Sequence, residues 1–531
     1  MTDTDKAVNS GNIISATGHG FIGNLLENIR LAGGSPGKTL GGFIVAWVMF
    51  FLILYDVLPI PDVIGIDGSV SQLTPTGKAV LAVVVWACII WITEAMPVGI
   101  TGIMIPMLLV LTGGVGKFPQ AASGFTTPVA ALCLAAFIFA AIMQAAGIDR
   151  RIALAMLRKA KVKEVGGVIW TMFGVNLVLS LIIPAANARA ATLLPVVNGI
   201  TRLFGDTPQE RAAKKAIVIQ TLVYGSMISG MMIMTAHLPN MVLVGLFETE
   251  LALNISYVNW FLLQWPYLGM FVLTQWWVRY YFKTHGVSIP GGIEKIETLH
   301  KEQPKTTQAE WMILAVFAFV GLMWVTEEGF RFLDWKGHGI KSHNAILIGM
   351  TIMFIPGLFA FKWKVLQDRT IWGTWLLLAG ALSMAAAMGT SGLAQWLADG
   401  IHPIAHGHSW WMILLILMVG THIIRLGMLS NIAAITMLAP ILIALAPKLG
   451  LHPEAFTMLV SDTDTFAYIL PTQITAAVIA YSSGTFSMSD YAKVGWVAVL
   501  IAIAYGILIM APWYAFMGLP VWDPTAPWPF K

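Results

Sequence analysis

The sequence predicts an all-α polytopic membrane protein, with about eleven transmembrane helices and two re-entrant helical hairpins arranged as inverted repeats. Three observations point there. Of the 531 residues, 57% are hydrophobic and only 11% charged, with mean hydropathy +0.76, whereas water-soluble domains carry roughly 25% charged residues. Apolar runs recur at the roughly 20-residue length that a helix needs to cross hydrocarbon. Two longer apolar stretches, one in each half, are interrupted at their middles by small and polar residues.

Residues 1–39 read as a polar cytoplasmic segment, in which the apolar spacing of Phe21 to Leu31 suits a helix lying on the membrane surface. A cleavable signal peptide is not expected there. The first repeat, 40–282, holds spans at 40–58, 78–93, 97–112, 128–146, 214–248 and 258–282. Between the fourth and fifth lies the interrupted stretch 168–203, read as a re-entrant hairpin. A polar cytoplasmic linker, 283–310, precedes the second repeat, 311–531. That repeat has spans at 311–326, 343–361, 370–399, 455–483 and 490–515, with a second hairpin at 410–449. Irregular backbone at membrane depth survives only where protein or a water-filled cavity satisfies its amides, so interrupted runs mark a binding site.

Basic residues orient the chain, because cytoplasmic loops carry the excess of Lys and Arg. With the amino terminus inside, 22 lysines and arginines fall in inner loops and seven in outer ones, which places the carboxyl terminus outside. Arg189 and Arg425 fit neither set, since each lies within an interrupted stretch. The only cysteines, Cys88 and Cys133, sit in apolar runs, so no disulfide framework or cysteine-based metal site is expected. Twenty-one tryptophans suit interfacial belts, and neither a nucleotide-binding glycine loop nor a zinc-spaced histidine pair appears. Nucleic acid is not an expected partner and an enzyme is the weak competitor; membrane lipid and a small anion are the expected partners.

The interrupted stretches share a pattern: Asn187 and Asn431 each precede small residues, a threonine and a proline. At a hairpin tip, unpaired amides and helix dipoles favour a carboxylate or sulfate, to which Asn187, Ser430 and Asn431 would add hydrogen bonds. Two later spans place proline beside polar side chains, at 234–240 and 470–475. Unwound carbonyls there could hold a cation, with Thr235, Asn240, Thr472 and Gln473 completing the cage, or the prolines simply kink the helices. A buried arginine is costly enough to be functional by default. Arg189 and Arg425 therefore either clamp a dianion or pair with Asp462, Asp464 or backbone carbonyls. His237, His422 and Asp464 are candidates for proton coupling.

On 92–101 (ITEAMPVGIT), 147–157 (GIDRRIALAML), Ser430-Asn431 and 480–490 (AYSSGTFSMSD), the chain resembles the divalent anion:sodium symporter family of the ion transporter superfamily. The resemblance implies a homodimer of scaffold and moving transport domains in the bacterial inner membrane. It also implies elevator-type alternating access, substrate near Asn187, Ser430 and Asn431, and sodium as coupling ion with no other cofactor; Thr472, Arg189 and Arg425 are further candidate substrate contacts. The chain departs from the family's Ser-Asn-Thr tips, reading Ala185-Ala-Asn187 and Ser430-Asn-Ile432, and resembles the dicarboxylate and citrate exchanger branch around Arg189. If Arg189 and Arg425 supply the charge that sodium brings, the carrier exchanges one anion for another. The expected function is transport of small divalent anions, di- or tricarboxylates first. Sodium coupling is the first expectation for its driving force, with sodium-independent exchange and proton coupling as alternatives, and an anion channel or sensor is the alternative of another class.

Overall fold

The computed structural model describes residues 21–31, 35–66, 68–290, 305–329, 335–428 and 430–530. Most of the segment 1–39 and half of the linker 283–310 lie outside the described residues. The surface stretch is a helix, Phe21–Leu31. Seven helices are long and apolar enough to cross a membrane by themselves, and shorter helices make up the remaining runs.

Local chemistry sets where many helices begin. Thr74, Thr127 and Thr207 each precede a proline, and each hydroxyl accepts the amide of the third residue on, at 2.9, 3.2 and 3.3 Å. Proline costs nothing in the first turn, where its missing N–H has no intrahelical partner, and the hydroxyl satisfies another orphan donor.

The two halves follow one order. In the first, Pro75–Thr93, Val98–Leu111 and Pro128–Ala146 lead to the amphipathic helix Ile148–Ala160. Hairpin 1 follows (Val165–Ser180, Ala186–Thr201), then a helix broken between Met232 and Leu238, then Tyr257–Gln264 with Tyr267–Tyr281. In the second, Gln308–Val325, Ser342–Met353 and Trp372–Thr390 lead to Leu393–Ala405. Hairpin 2 follows (Trp410–Arg425, Asn431–Lys448), then a helix broken between Thr465 and Thr475, then Met488–Tyr505 continuing to Phe516. Pro36–Leu54 precedes both sets and packs antiparallel on Pro75–Thr93, with Lys38 beside Glu94 at one end and Lys78 paired with Asp56 at the other.

Several predicted boundaries shift for physical reasons. The run 370–399 is two elements, because Gly392 adopts a left-handed φ of 79° that ends one helix and redirects the chain into Leu393–Ala405. That second helix turns by 118° into hairpin 2. The run 343–361 is helical only to Met353, ahead of Pro356. The run 258–282 divides at Trp265-Pro266, where the proline can open a helix but not continue the preceding one.

The halves lock together where Val98–Leu111 crosses Trp372–Thr390. A Cβ on Gly102 would lie 2.1 Å from the Leu376 carbonyl, and one on Gly380 would lie 2.2 Å from that of Gly102. Small residues let helix backbones touch, which is the main source of packing between helices in lipid. Gly102→Leu is expected to destabilise the protein by about 3 kcal/mol or more, the upper range for overpacking, seen as a lower melting temperature in detergent; an unchanged melt would contradict this contact.

Candidate functional site

Short loops, 181–185 and 426–430, join the two arms of each hairpin. The helix after each hairpin breaks at a single 3-10 turn, Met234–Ala236 or Pro471–Gln473, then resumes at Leu238 or Thr475. These breaks and tips meet. A cavity of about 80 Å³ is walled by residues 185–187, 237–239, 430–432 and 474–476, the starts of four helices. The first amides of a helix have no intrahelical acceptor, and its dipole is positive at that end. Four such ends around one small cavity are chemically suited to negative charge.

The side chains add donors. Asn187 lines the cavity, with its Oδ1 accepting the Ala188 amide at 3.0 Å. Ser430 lines it while capping hairpin 2's return arm, its Oγ accepting the Ala433 amide at 3.3 Å. Asn431 donates from Nδ2 to the Thr465 carbonyl at 3.2 Å, and that nitrogen lies 3.5 Å from His237 Nε2. His237 faces the cavity as well. Pro239, the proline of the interrupted stretch 234–240, sits in the first turn of a resumed helix at the cavity, and Ile474, Thr475 and Ala476 line it from the second break.

Neither arginine lines the cavity, and both are fully buried. Arg189 donates from Nη1 to the carbonyls of Ile183 and Ala236 at 2.8 and 2.7 Å, and from Nη2 to that of Ser226 at 2.7 Å. Arg425 donates from Nη1 to the Met428 and Ser430 carbonyls at 3.2 and 3.1 Å, and from Nη2 to Asn431 and, at 3.0 Å, to the Gln473 carbonyl. Ile183 and Met428 hold the same place in their tip loops, third after the arm's last helical residue. Ala236 and Gln473 each end the 3-10 turn of a broken helix. The two guanidiniums thus fill matching carbonyl cages, although one comes from a return arm and the other from a first arm. Gly230 makes the first cage possible, since a Cβ there would lie 2.7 Å from Arg189 Nη2.

The other predicted residues divide. Asn240 braces the first break by donating to the Gly230 and Ile233 carbonyls at 3.0 and 3.2 Å. Gln473 braces the second by donating to the Arg425 carbonyl at 3.0 Å and accepting the Leu470 amide at 2.6 Å. Thr235 shares a 3.2 Å hydrogen bond with Tyr257 beside a larger, almost wholly apolar cavity of about 380 Å³. Thr472 is exposed and does not line the small cavity. Asp464 faces Arg425 Nε at 3.5 Å, and His422 donates from Nδ1 to the Met418 carbonyl at 2.8 Å, away from the cavity wall.

The chain matches the sodium:sulfate symporter transmembrane region over residues 44–519. A Cupriavidus necator protein described as a membrane protein is 28% identical over 505 residues, covering 91% of this chain and 94% of that one. The sodium-dependent dicarboxylate transporter SdcS of Staphylococcus saprophyticus is 26% identical over 533 residues, covering 96% and 97%. The fold is shared with Neisseria gonorrhoeae MtrF, at TM-score 0.55 and 12% identity over 92% of this chain and 97% of that one. It is shared too with the Alcanivorax borkumensis YdaH transporter, at TM-score 0.52 and 16% identity over 82% and 98%. With the family's region spanning nearly the whole chain and the fold of known transporters around it, this chain belongs to the sodium:sulfate symporter family and is a multi-pass membrane transport protein.

Proposed function

We propose that the protein carries small divalent anions, di- or tricarboxylates first among them, across the bacterial inner membrane, and that the cavity between the hairpin tips is the substrate site. The convergence of four helix starts on that cavity carries this reading. Asn187, Ser430, Asn431 and His237 hydrogen-bond the bound anion. The hairpins and broken helices form a transport domain that moves against the remaining helices of each repeat, in a homodimer with its amino terminus in the cytoplasm.

The filled carbonyl cages favour exchange without sodium. Unwound carbonyls beside a tip are the groups that hold sodium in carriers of this kind of architecture, and here a guanidinium already satisfies them. The empty carrier then keeps buried positive charge, which is costly to move through hydrocarbon, so an anion must accompany each crossing. A second reading, sodium symport, is favoured by the name of the Staphylococcus relatives.

Asn187→Ala is expected to weaken succinate binding by about 10- to 100-fold, the worth of a hydrogen bond to a charged group. Ligand-induced thermal shifts of the purified protein would measure it. Unaltered binding would remove tip 1 from the substrate site.

A further inference from the structure

Asp462 lies in the helix Pro453–Thr465 and is fully buried. Its Oδ2 accepts from Gln264 Nε2 at 2.8 Å, Tyr514 OH at 3.3 Å and Tyr267 OH at 3.4 Å. Among the described residues no lysine, arginine or histidine forms an ion pair with it, unlike Asp464, which has Arg425. Its Oδ1 has no hydrogen-bond partner, and neither does Oε1 of Gln264, an equally buried side chain bonded to the same carboxyl. Two orphaned buried acceptors flanking one hydrogen bond are unfavourable. A proton on Oδ1 would turn it into a donor, and Gln264 Oε1 is the orphaned acceptor on the side chain already hydrogen-bonded to this carboxyl.

The position ties this carboxyl to the anion cavity. Thr465 donates to the Asp462 carbonyl at 2.7 Å, and the Thr465 carbonyl accepts from Asn431 of the cavity wall at 3.2 Å. Gln264 ends its helix just before the Pro266 break, and Gly506–Met510, a π-helical turn packed on the same helix, leads to Tyr514. Such turns inside helices often mark functional sites.

We propose that Asp462 is a proton-binding site, held as the neutral acid by Gln264, and that release of its proton to water switches the carrier from obligatory exchange to net anion transport. This rests on the exchange reading above. With Asp462 neutral, Arg189, Arg425 and Asp464 leave one uncompensated buried positive charge, so the empty carrier stays put. With Asp462 ionised, that charge is cancelled and the empty carrier can return.

The other titratable groups on the elements packed around Asp462 do not cancel this charge. The helix Trp410–Arg425 brings His422 and Arg425, the latter paired with Asp464. The closing helices bring Tyr267, Tyr505 and Tyr514. Leu238–Glu250 carries Glu248 and Glu250 only in its last turn, Asn431–Lys448 carries Lys448 at its far end beside Asp399, and Gly506–Met510 carries none.

Liposomes loaded with labelled succinate and diluted into medium with or without unlabelled succinate read the ratio of exchange to net efflux. The wild type should exchange at least tenfold faster than it leaks at acid pH, with the ratio falling several-fold as pH rises. Asp462→Asn, whose amide reproduces the acid's donor, should hold the high ratio at every pH. A flat wild-type ratio, or a pH response kept by Asp462→Asn and lost in a His237 or His422 variant, overturns the proposal. Infrared spectra separate this from the substrate question: purified wild type should show a protonated carboxyl C=O band that Asp462→Asn lacks and Gln264→Leu shifts. Absence of such a band overturns the proton site whether or not succinate is carried.

Discussion

Arg189→Gln is expected to lower sodium-free succinate exchange by about 100-fold, and added sodium is expected to restore part of it. A glutamine amide can serve at most some of the three carbonyls that the guanidinium now holds, those of Ile183, Ser226 and Ala236. Two buried acceptors left bare cost about 3 kcal/mol together, equivalent to roughly two orders of magnitude in occupancy of the competent tip. The vacated cage presents carbonyl oxygens to a hard cation, hence the rescue. Flux in liposomes with sodium or choline chloride, alongside size-exclusion profiles to confirm the fold, checks both parts. Full activity without sodium would refute the cage's importance, and a loss indifferent to sodium would show that the cage is only a brace.

Arg425→Met is expected to be the most destabilising single change near the site. It strands Asp464 in the interior without its partner and leaves the carbonyls of Met428, Ser430 and Gln473 without their donor. Breaking a buried pair by removing one member costs about 3–5 kcal/mol, because the remaining charge stays uncompensated. The double change Arg425→Met with Asp464→Asn should recover a measurable part of that loss in thermal melts in detergent. A double variant no more stable than Arg425→Met alone would mean that the bare carbonyls, not the charge, dominate.

Much of the architecture was legible because its causes are local. Ser/Thr-Pro pairs announce helix starts, and the two interrupted apolar stretches, read as 168–203 and 410–449, each hold two helices joined by a short loop, Val165–Ser180 with Ala186–Thr201 and Trp410–Arg425 with Asn431–Lys448. Asn187, Ser430 and Asn431 were found from polarity at the tips and do line the cavity. What escaped the sequence depends on long-range or backbone geometry. Leu393–Ala405 merges with the preceding apolar run until the left-handed Gly392 turns the chain. The partners of the arginines are mostly carbonyls, which every residue carries, so nothing in residue identity marks Ile183 or Ala236. Thr235 and Thr472 look equivalent in sequence, yet only Thr235 is buried.

The exchange reading is tested most directly by uptake of labelled succinate into liposomes bearing the purified protein, with an inward sodium gradient in one arm and unlabelled internal succinate in the other. The filled cages predict rapid uptake near neutral or acid pH only in preloaded vesicles, unchanged when sodium is replaced by choline. Accumulation driven by the sodium gradient into empty vesicles would contradict it and make the carrier a sodium symporter.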